Sequence, residues 1–216
     1  MHNQRLTDNV HLLLSWSQIK CSQIRKMPTI RTFIAIELPN AIRAEIARVQ
    51  AELRKANERI AWTKPGNIHL TLKFLGEVEQ ERIPAVGQAL VGALNGFGPF
   101  RCGVKTLGVF PNFKRPRVLW VGVENETGEV IELAKKIEEA LIHLGFSKEN
   151  RKFTPHLTLG RVKAQLSGQF IQKYKQTTFD GGPVPVSEVV LIKSDLKPGG
   201  AVYTPLQRIS LAGGNS

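Results

Sequence analysis

The chain has 216 residues, 42% of them hydrophobic and 22% charged, which is enough apolar material for a real core and excludes a disordered polyelectrolyte. Thirty Lys and Arg against 18 Asp and Glu leave a net charge of +12, a balance that gathers phosphates and favours a polyanionic partner. Two cysteines, Cys21 and Cys102, are too few for a disulfide framework or a Cys-based zinc site and suit a reducing cytoplasm.

No apolar run reaches the ~20 residues of a membrane helix. Val10 to Trp16 comes nearest to a signal-peptide core, but it is short, contains His11 and Ser15, and lacks a small-residue cleavage pattern after it. The expectation is a cytoplasmic protein. Residues 1–26 have no clear periodicity and Met27 stands just before the first convincing strand, so 1–26 reads as an extension or an upstream start and 27–216 as a single domain.

From Thr32 to Leu38, Ile34, Ile36 and Leu38 alternate with Phe33, Ala35 and Glu37, which predicts a strand. A helix follows from Ala41 to Asn57 with Ile42, Ile46, Val49 and Leu53 on one stripe. After the Pro65-Gly66 turn, Ile68 to Phe74 alternates again, with Ile68, Leu70, Leu72 and Phe74 on one face and His69, Thr71 and Lys73 on the other. A second helix, Gln80 to Leu94, tolerates Pro84 in its first turn. Phe100 to Phe110 is a strand, and Pro111 to Pro116 is a loop holding part of the basic set Lys114, Arg115 and Arg117. Val118 to Val123, apolar on both faces, is a central strand. Thr127 caps a helix running to Leu144, and the strand Phe153 to Val162 comes next. A short helix near Gly168 to Tyr174 and two strands, Val186 to Lys193 and Tyr203 to Leu211, complete the chain.

One phrase occurs twice: His69-Leu70-Thr71-Leu72 and, 87 residues later, His156-Leu157-Thr158-Leu159. In a strand, His and Thr two residues apart share a face. The halves also share an order of strand, helix, His-Leu-Thr-Leu strand, helix, strand. The interval from Phe33 to His69 is 36 residues and that from Leu119 to His156 is 37, so the chain reads as an internal duplication with a boundary near residues 111–116. Packing about a pseudo-twofold axis would set the two histidines across one cleft.

A lone strand histidine is usually structural. Two matched His-x-Thr phrases are harder to obtain from packing, because Val or Ile fills a strand face better. Paired imidazoles flanked by hydroxyls suit in-line displacement at phosphorus, one as base and one as acid, with Thr71 and Thr158 donating to the non-bridging oxygens. A zinc site would want three or four ligands, and these strands offer no Asp, Glu or Cys at plausible spacing. Neither a G-x-x-x-x-G-K-[ST] loop nor a G-x-S-x-G elbow is present. Trp62 reads as a stacking surface or a half-buried anchor, and His143 as a surface residue near a helix C-terminus.

The paired phrases, with Phe74 completing an H-x-T-x-x-F pattern, resemble the two-histidine phosphoesterase superfamily, and within it the RNA 2′,3′-cyclic phosphodiesterases, also named 2′-5′ RNA ligases. Arg31 to Pro39, Phe110 to Gly122 and Ser194 to Tyr203 are similar to that family too, so the resemblance covers residues 29–211. It implies an α+β, bilobal fold with two antiparallel β-sheets enclosing a central cleft and helices outside. It also implies hydrolysis of an RNA 2′,3′-cyclic phosphate end to a 2′-phosphate without metal or other cofactor, by a monomer. His69 is implied as the acid and His156 as the base, with Thr71, Thr158 and Arg161 on the phosphate and Phe33 as a cleft wall. Simple alternation puts Arg161 on the face opposite His156, so it reaches the cleft only if the strand bulges or ends near Gly160. The alternatives are 2′-5′ RNA ligation at the same site, a phosphodiesterase acting on a small or cyclic nucleotide, and a non-catalytic RNA-binding module.

Overall fold

Each stretch with a clear period forms the element that its period dictates. The computed structural model describes residues 27–213, and the extension read over residues 1–26 lies outside them. Along the chain stand β1 (Thr29–Glu37), α1 (Asn40–Arg54), β2 (Ile60–Trp62), β3 (His69–Glu79), α2 (Ile83–Leu94), β4 (Phe100–Phe110) and β5 (Val118–Glu124). Then come α3 (Glu129–Ile142), β6 (His156–Val162), α4 (Gly168–Gln176), β7 (Asp180–Val186), β8 (Glu188–Lys197) and β9 (Gly200–Ser210).

All strand pairs are antiparallel, in the order β7-β4-β5-β6-β3-β1-β8-β9, with β2 added beside β6. The path has a seam. β6 meets β3 through the single pair Leu157–Leu70, so two four-stranded sheets, β7-β4-β5-β6 and β3-β1-β8-β9, join at one residue each. Those residues hold the same place in the two repeated phrases. The strand order is a palindrome about them, which is the pseudo-twofold relation the repeat predicts. The fold is accordingly α+β and bilobal, with curled antiparallel sheets and peripheral helices.

The halves exchange elements. β4 pairs with β5 and β7 of the second half, while β8 pairs with β1 of the first. α3 packs on β3 and α2, and the α1 residue Gln50 bonds to β6. Core side chains from both halves, among them Ile46, Leu70, Leu90, Leu119, Ile137 and Leu157, form one buried cluster.

Several local expectations change. The buried stripe of α1 is Ile42, Ile46, Gln50 and Leu53, with Val49 half-buried. α2 begins at Ile83 after a 3-10 turn over Gln80–Arg82, and Pro84 is in its first turn. Thr127 is not the cap of α3: Gly128 occupies that position with φ 85°, and Asn125 Oδ1 accepts from the Val130 N–H at 3.2 Å. Ser167 caps α4, its hydroxyl accepting from Phe170 N–H at 3.1 Å. The short β2 and the edge strand β7, which carries Pro183 and Pro185, are additions to the predicted set.

Candidate active site

The strict alternation expected of both motif strands fails at the same place. Against β1, Lys73 faces Ile34 but Thr71 faces Ala35, so Leu72 is an extra, bulged residue. Against β5, Gly160 faces Leu119 but Thr158 faces Trp120, so Leu159 is bulged in turn. Each bulge falls on the last residue of its His-Leu-Thr-Leu phrase and inverts the facing that follows. Lys73 therefore leaves the His69 face, its side chain only 8% exposed, and its ammonium donates to Glu138 and to Ser147 O, both at 3.0 Å. Phe74 swings to the cleft side, 60% exposed, 5.9 Å from Phe33 between ring centroids. In the second copy Gly160 is buried and Arg161 is exposed on the cleft side. A Cβ on Gly160 would fall 2.7 Å from Ile60 Cγ2 and 3.2 Å from the Ala61 carbonyl, which explains why the position that holds Lys73 in the first copy is bare here.

Through Leu72 and Leu159 the copies match. Register about Leu70–Leu157 sets His69 abreast of Thr158 and Thr71 abreast of His156, making the two histidines diagonal neighbours, a relationship worth about 7–8 Å on a regular ladder. All four side chains are half-buried, while Leu70, Leu72, Leu157 and Leu159 enter the core on the opposite face.

Both rings are oriented by backbone. His69 Nδ1–H donates to Asn67 O at 2.8 Å, and His156 Nδ1–H donates to Thr154 O at 2.7 Å. A carbonyl only accepts, so Nδ1 carries the hydrogen in each ring and Nε2 is the nitrogen that titrates. Asn67 is itself anchored, its side-chain amide donating to Ala201 O of β9 at 2.7 Å.

The surroundings of the two rings differ. Phe33 stacks on His69 at 4.6 Å and 24°, and Tyr203 meets the same ring edge-on at 5.2 Å. Among the described aromatic residues, His156 has Phe110 alone at its edge, 4.9 Å away. Burial pushes the His69 pKa down to about 4; the Asn67 hydrogen bond opposes this, Arg43 adds to it and Glu37 opposes it. His156 is lowered too, by burial first, against the Thr154 hydrogen bond and with help from Arg161. The Tyr203 hydroxyl is raised by burial and pulled back by Arg31 and Arg161. Arg161, exposed on β6, is thus within electrostatic reach of His156 in one lobe and Tyr203 in the other.

Other candidates take ordinary places. Trp62 packs against the core beneath the Arg54 guanidinium, 5.3 Å from its ring centroid. Lys114, Arg115 and Arg117 are exposed, and His143 is the C-cap of α3. Among the described residues no three His, Cys, Asp or Glu side chains converge, and no helix is long and apolar enough to cross a membrane. Sequence reasoning missed Tyr203, Phe110, Trp120, Asn67 and Gln50 as parts of the site. The first three lie in the stretches that carry the family resemblance, but none of these aromatics is marked by spacing, and Asn67 acts mainly through a carbonyl.

Comparison with known proteins shows the family. The family profile described as LigT like Phosphoesterase matches twice, over residues 36–120 and 121–203, so each half is recognised separately. An RNA 2′,3′-cyclic phosphodiesterase of Methanothermobacter thermautotrophicus is 34% identical over 187 residues, spanning 82% of this chain and 97% of its own. That of Thermotoga maritima is 35% identical over 185 residues, spanning 86% and 97%. A crystal structure of a Thermus thermophilus protein superposes with a TM-score of 0.72 at 31% identity, covering 86% of this chain and 100% of that one. E. coli LigT complexed with 3′-AMP gives 0.69 at 29% identity, covering 85% and 99%. With two diagonally placed histidines at a pseudo-twofold seam and a family match over both halves, the chain belongs to the LigT-like two-histidine phosphoesterases, the family of the RNA 2′,3′-cyclic phosphodiesterases.

Proposed function

We propose that the cleft opens the 2′,3′-cyclic phosphate at an RNA end, leaving a 2′-phosphate and a 3′-hydroxyl. The observation that carries this reading is the pair of histidines about Leu70–Leu157, each with Nδ1 tied to a carbonyl and Nε2 left to exchange a proton. His156 takes a proton from water as its oxygen attacks phosphorus, the P–O3′ bond breaks, and His69 protonates O3′. Thr71 and Thr158 donate to the non-bridging oxygens, and Arg161 offsets the charge that gathers there. Phe33 holds the His69 ring by stacking and walls the cleft on that side.

His69 enters the free cleft unprotonated at neutral pH, because burial has lowered its pKa to about 4. The anionic phosphate restores the proton on binding, and an imidazolium so desolvated is then a strong donor to a poor leaving group. The net charge of +12 supports an RNA substrate by drawing its phosphates to the surface.

The test is an end-group assay on an oligonucleotide ending in a 2′,3′-cyclic phosphate, with EDTA present. The expected product is a 2′-phosphate, and His69→Ala and His156→Ala each lose about 10²–10⁴-fold in turnover. Full turnover by either variant overturns the paired mechanism, and a 3′-phosphate product reverses the leaving group. A substrate with sulfur in place of the bridging O3′ needs no acid, so it restores activity to the His69 variant alone if the roles are as assigned.

A further inference from the structure

β1 and β8 lie side by side for only part of their lengths. β1 pairs with β3 from Thr29 to Glu37 but with β8 only from Thr32 to Ala35, while β8 pairs with β9 from Glu188 to Lys197. Beyond the last pair, Thr32–Lys193, the two strands part. Thr29–Arg31 and Ser194–Lys197 then border a fork, each without a ladder partner on that edge among the described residues. A strand paired on one side only leaves backbone N–H and C=O groups free on the other. The fork holds a cavity of about 400 Å³, within the size range of a small-molecule site, and Arg31, Glu77, Gln80, Ser194 and Asp195 are among its lining.

This cavity continues the floor of the His69 lobe. Phe33 and Ile192 are register partners in that floor, buried with Ala35 and Val190, and Tyr203 packs on them. Arg31 shares the face of Phe33, since Thr32 between them is fully buried on the other. Ser194, 8% exposed, is the register partner of Tyr203, whose ring meets His69 edge-on. Arg31 is exposed and within electrostatic reach of Tyr203. Lys193 is engaged by Asp195 at 3.1 Å, which leaves Arg31, unpaired among the described residues, as the fork's available cation.

The proposed reaction sends O3′ toward His69, so the terminal ribose lies in the His69 lobe. An RNA chain continues from the 5′ oxygen of that ribose, and it leaves the cleft across this lobe. We propose that the fork is the subsite of the nucleotide before the cyclic end, with its base between β1 and β8 and the phosphodiester that links it to the terminal ribose on Arg31. Glu77 and Asp195 offset Arg31 and Lys193, so the fork as a whole does not draw a phosphate into it. A base brings both donors and acceptors, and the free strand edges, Gln80 and Ser194 supply partners for them. An inserted peptide strand fits poorly, because the free edges Thr29–Arg31 and Ser194–Lys197 are shorter than the roughly 5–6 residues of an ordinary strand. The subsite rests on the proposed hydrolysis and gives it a substrate class: an RNA end of at least two nucleotides, preferred over a cyclic mononucleotide.

The experiment compares kcat/KM on a nucleoside 2′,3′-cyclic phosphate, on a dinucleotide with the same cyclic end, and on that dinucleotide with either a methylphosphonate linkage or an abasic first residue. In the wild type the dinucleotide is expected to exceed the mononucleotide about tenfold or more, as one charge-assisted hydrogen bond with added base contacts requires. The neutral linkage and the missing base each remove part of that gain with no change to the protein. Arg31→Gln is expected to treat the phosphodiester and methylphosphonate dinucleotides alike, whereas Arg31→Lys still favours the charged linkage. Equal wild-type values on the mononucleotide and dinucleotide overturn the proposal, as does a gain untouched by both modifications. An Arg31→Gln loss of equal size on both cyclic ends also overturns it, because that would put Arg31 at the cyclic phosphate. If neither cyclic end is opened, the proposed hydrolysis fails, and calorimetry decides the subsite separately. The dinucleotide ending in a 2′-phosphate is expected to bind the wild type about tenfold more tightly than its methylphosphonate counterpart, and Arg31→Gln is expected to bind the two equally. Equal binding of the two by the wild type overturns the subsite whatever the catalytic result.

Discussion

The side-chain amide of Gln50, only 2% exposed, donates to the carbonyl of Leu159 at 2.8 Å and to that of Thr63 at 2.9 Å. Leu159 is the bulged residue of the second motif, and its carbonyl also accepts from Thr63 N–H at 2.9 Å. A glutamine from the first half thus holds the irregularity that turns Arg161 toward the cleft. Gln50→Leu is expected to cost about 1–3 kcal/mol, because two buried carbonyls each lose a partner. Urea unfolding measures that loss. Steady-state kinetics on a cyclic RNA end is expected to show KM raised more than kcat is lowered; an unaltered KM would mean that register alone sustains the bulge.

In the first motif the same irregularity is held by charge. Lys73 pairs with Glu138 from the second half, and Glu138 also accepts from Glu149 N–H at 2.7 Å. Glu138→Leu leaves a buried ammonium with one carbonyl, a loss of about 3–5 kcal/mol. Lys73→Met combined with Glu138→Leu is expected to recover most of it, since the cost lies in the uncompensated charge. Chemical denaturation of the single and double variants checks this, and a double variant as weak as Glu138→Leu would contradict it.

Acid is expected to destabilise the fold through His69. Its folded pKa of about 4 lies below the roughly 6.5 of a free imidazole, so between those values the unfolded chain binds a proton that the folded chain does not. The stabilisation is complete above about pH 6.5 and is lost as pH falls toward 4; His156, shifted in the same direction, adds to it. Melting temperatures between pH 7 and 4 are expected to fall less steeply in His69→Phe than in the wild type.

Catalysis by the free enzyme needs one imidazole charged and the other neutral. With both pKa values lowered, kcat/KM is expected to peak on the acid side of neutrality, between about 4 and 6.5, and to fall as pH rises through the upper of the two. A plateau extending to pH 8 would show that the cleft does not desolvate its histidines in solution.

Much of this architecture is readable from periodicity and repetition. β4 has its predicted ends, β5 is central because it is apolar on both faces, and the duplicated phrase foretells the pseudo-twofold pairing of Leu70 with Leu157. What period two cannot register is an extra residue. Alternation keeps Lys73 beside His69 and hides Phe74, whereas Leu72 and Leu159 each displace the pattern by one. Proline makes β7 look unlike a strand, although an edge position tolerates it. Tyr203 and Trp120 escape notice because nothing in their own strands marks them: Tyr203 packs on Phe33 of the distant β1, and Trp120 lies over the bare backbone of Gly108 on the neighbouring β4.

The exchange of β4 and β8 makes the two visible lobes a poor guide to the unit of folding. A break in the loop between Phe110 and Val118 would give two fragments, each missing a strand that its own sheet requires, and each bearing the strand that completes the other. Neither is expected to fold alone, while mixing them is expected to restore circular dichroism and phosphodiesterase activity together. The chain is built like a dimer whose subunits are interlocked and tied end to end, so its lobes are expected to melt in a single cooperative step, and its paired histidines exist only when both halves do.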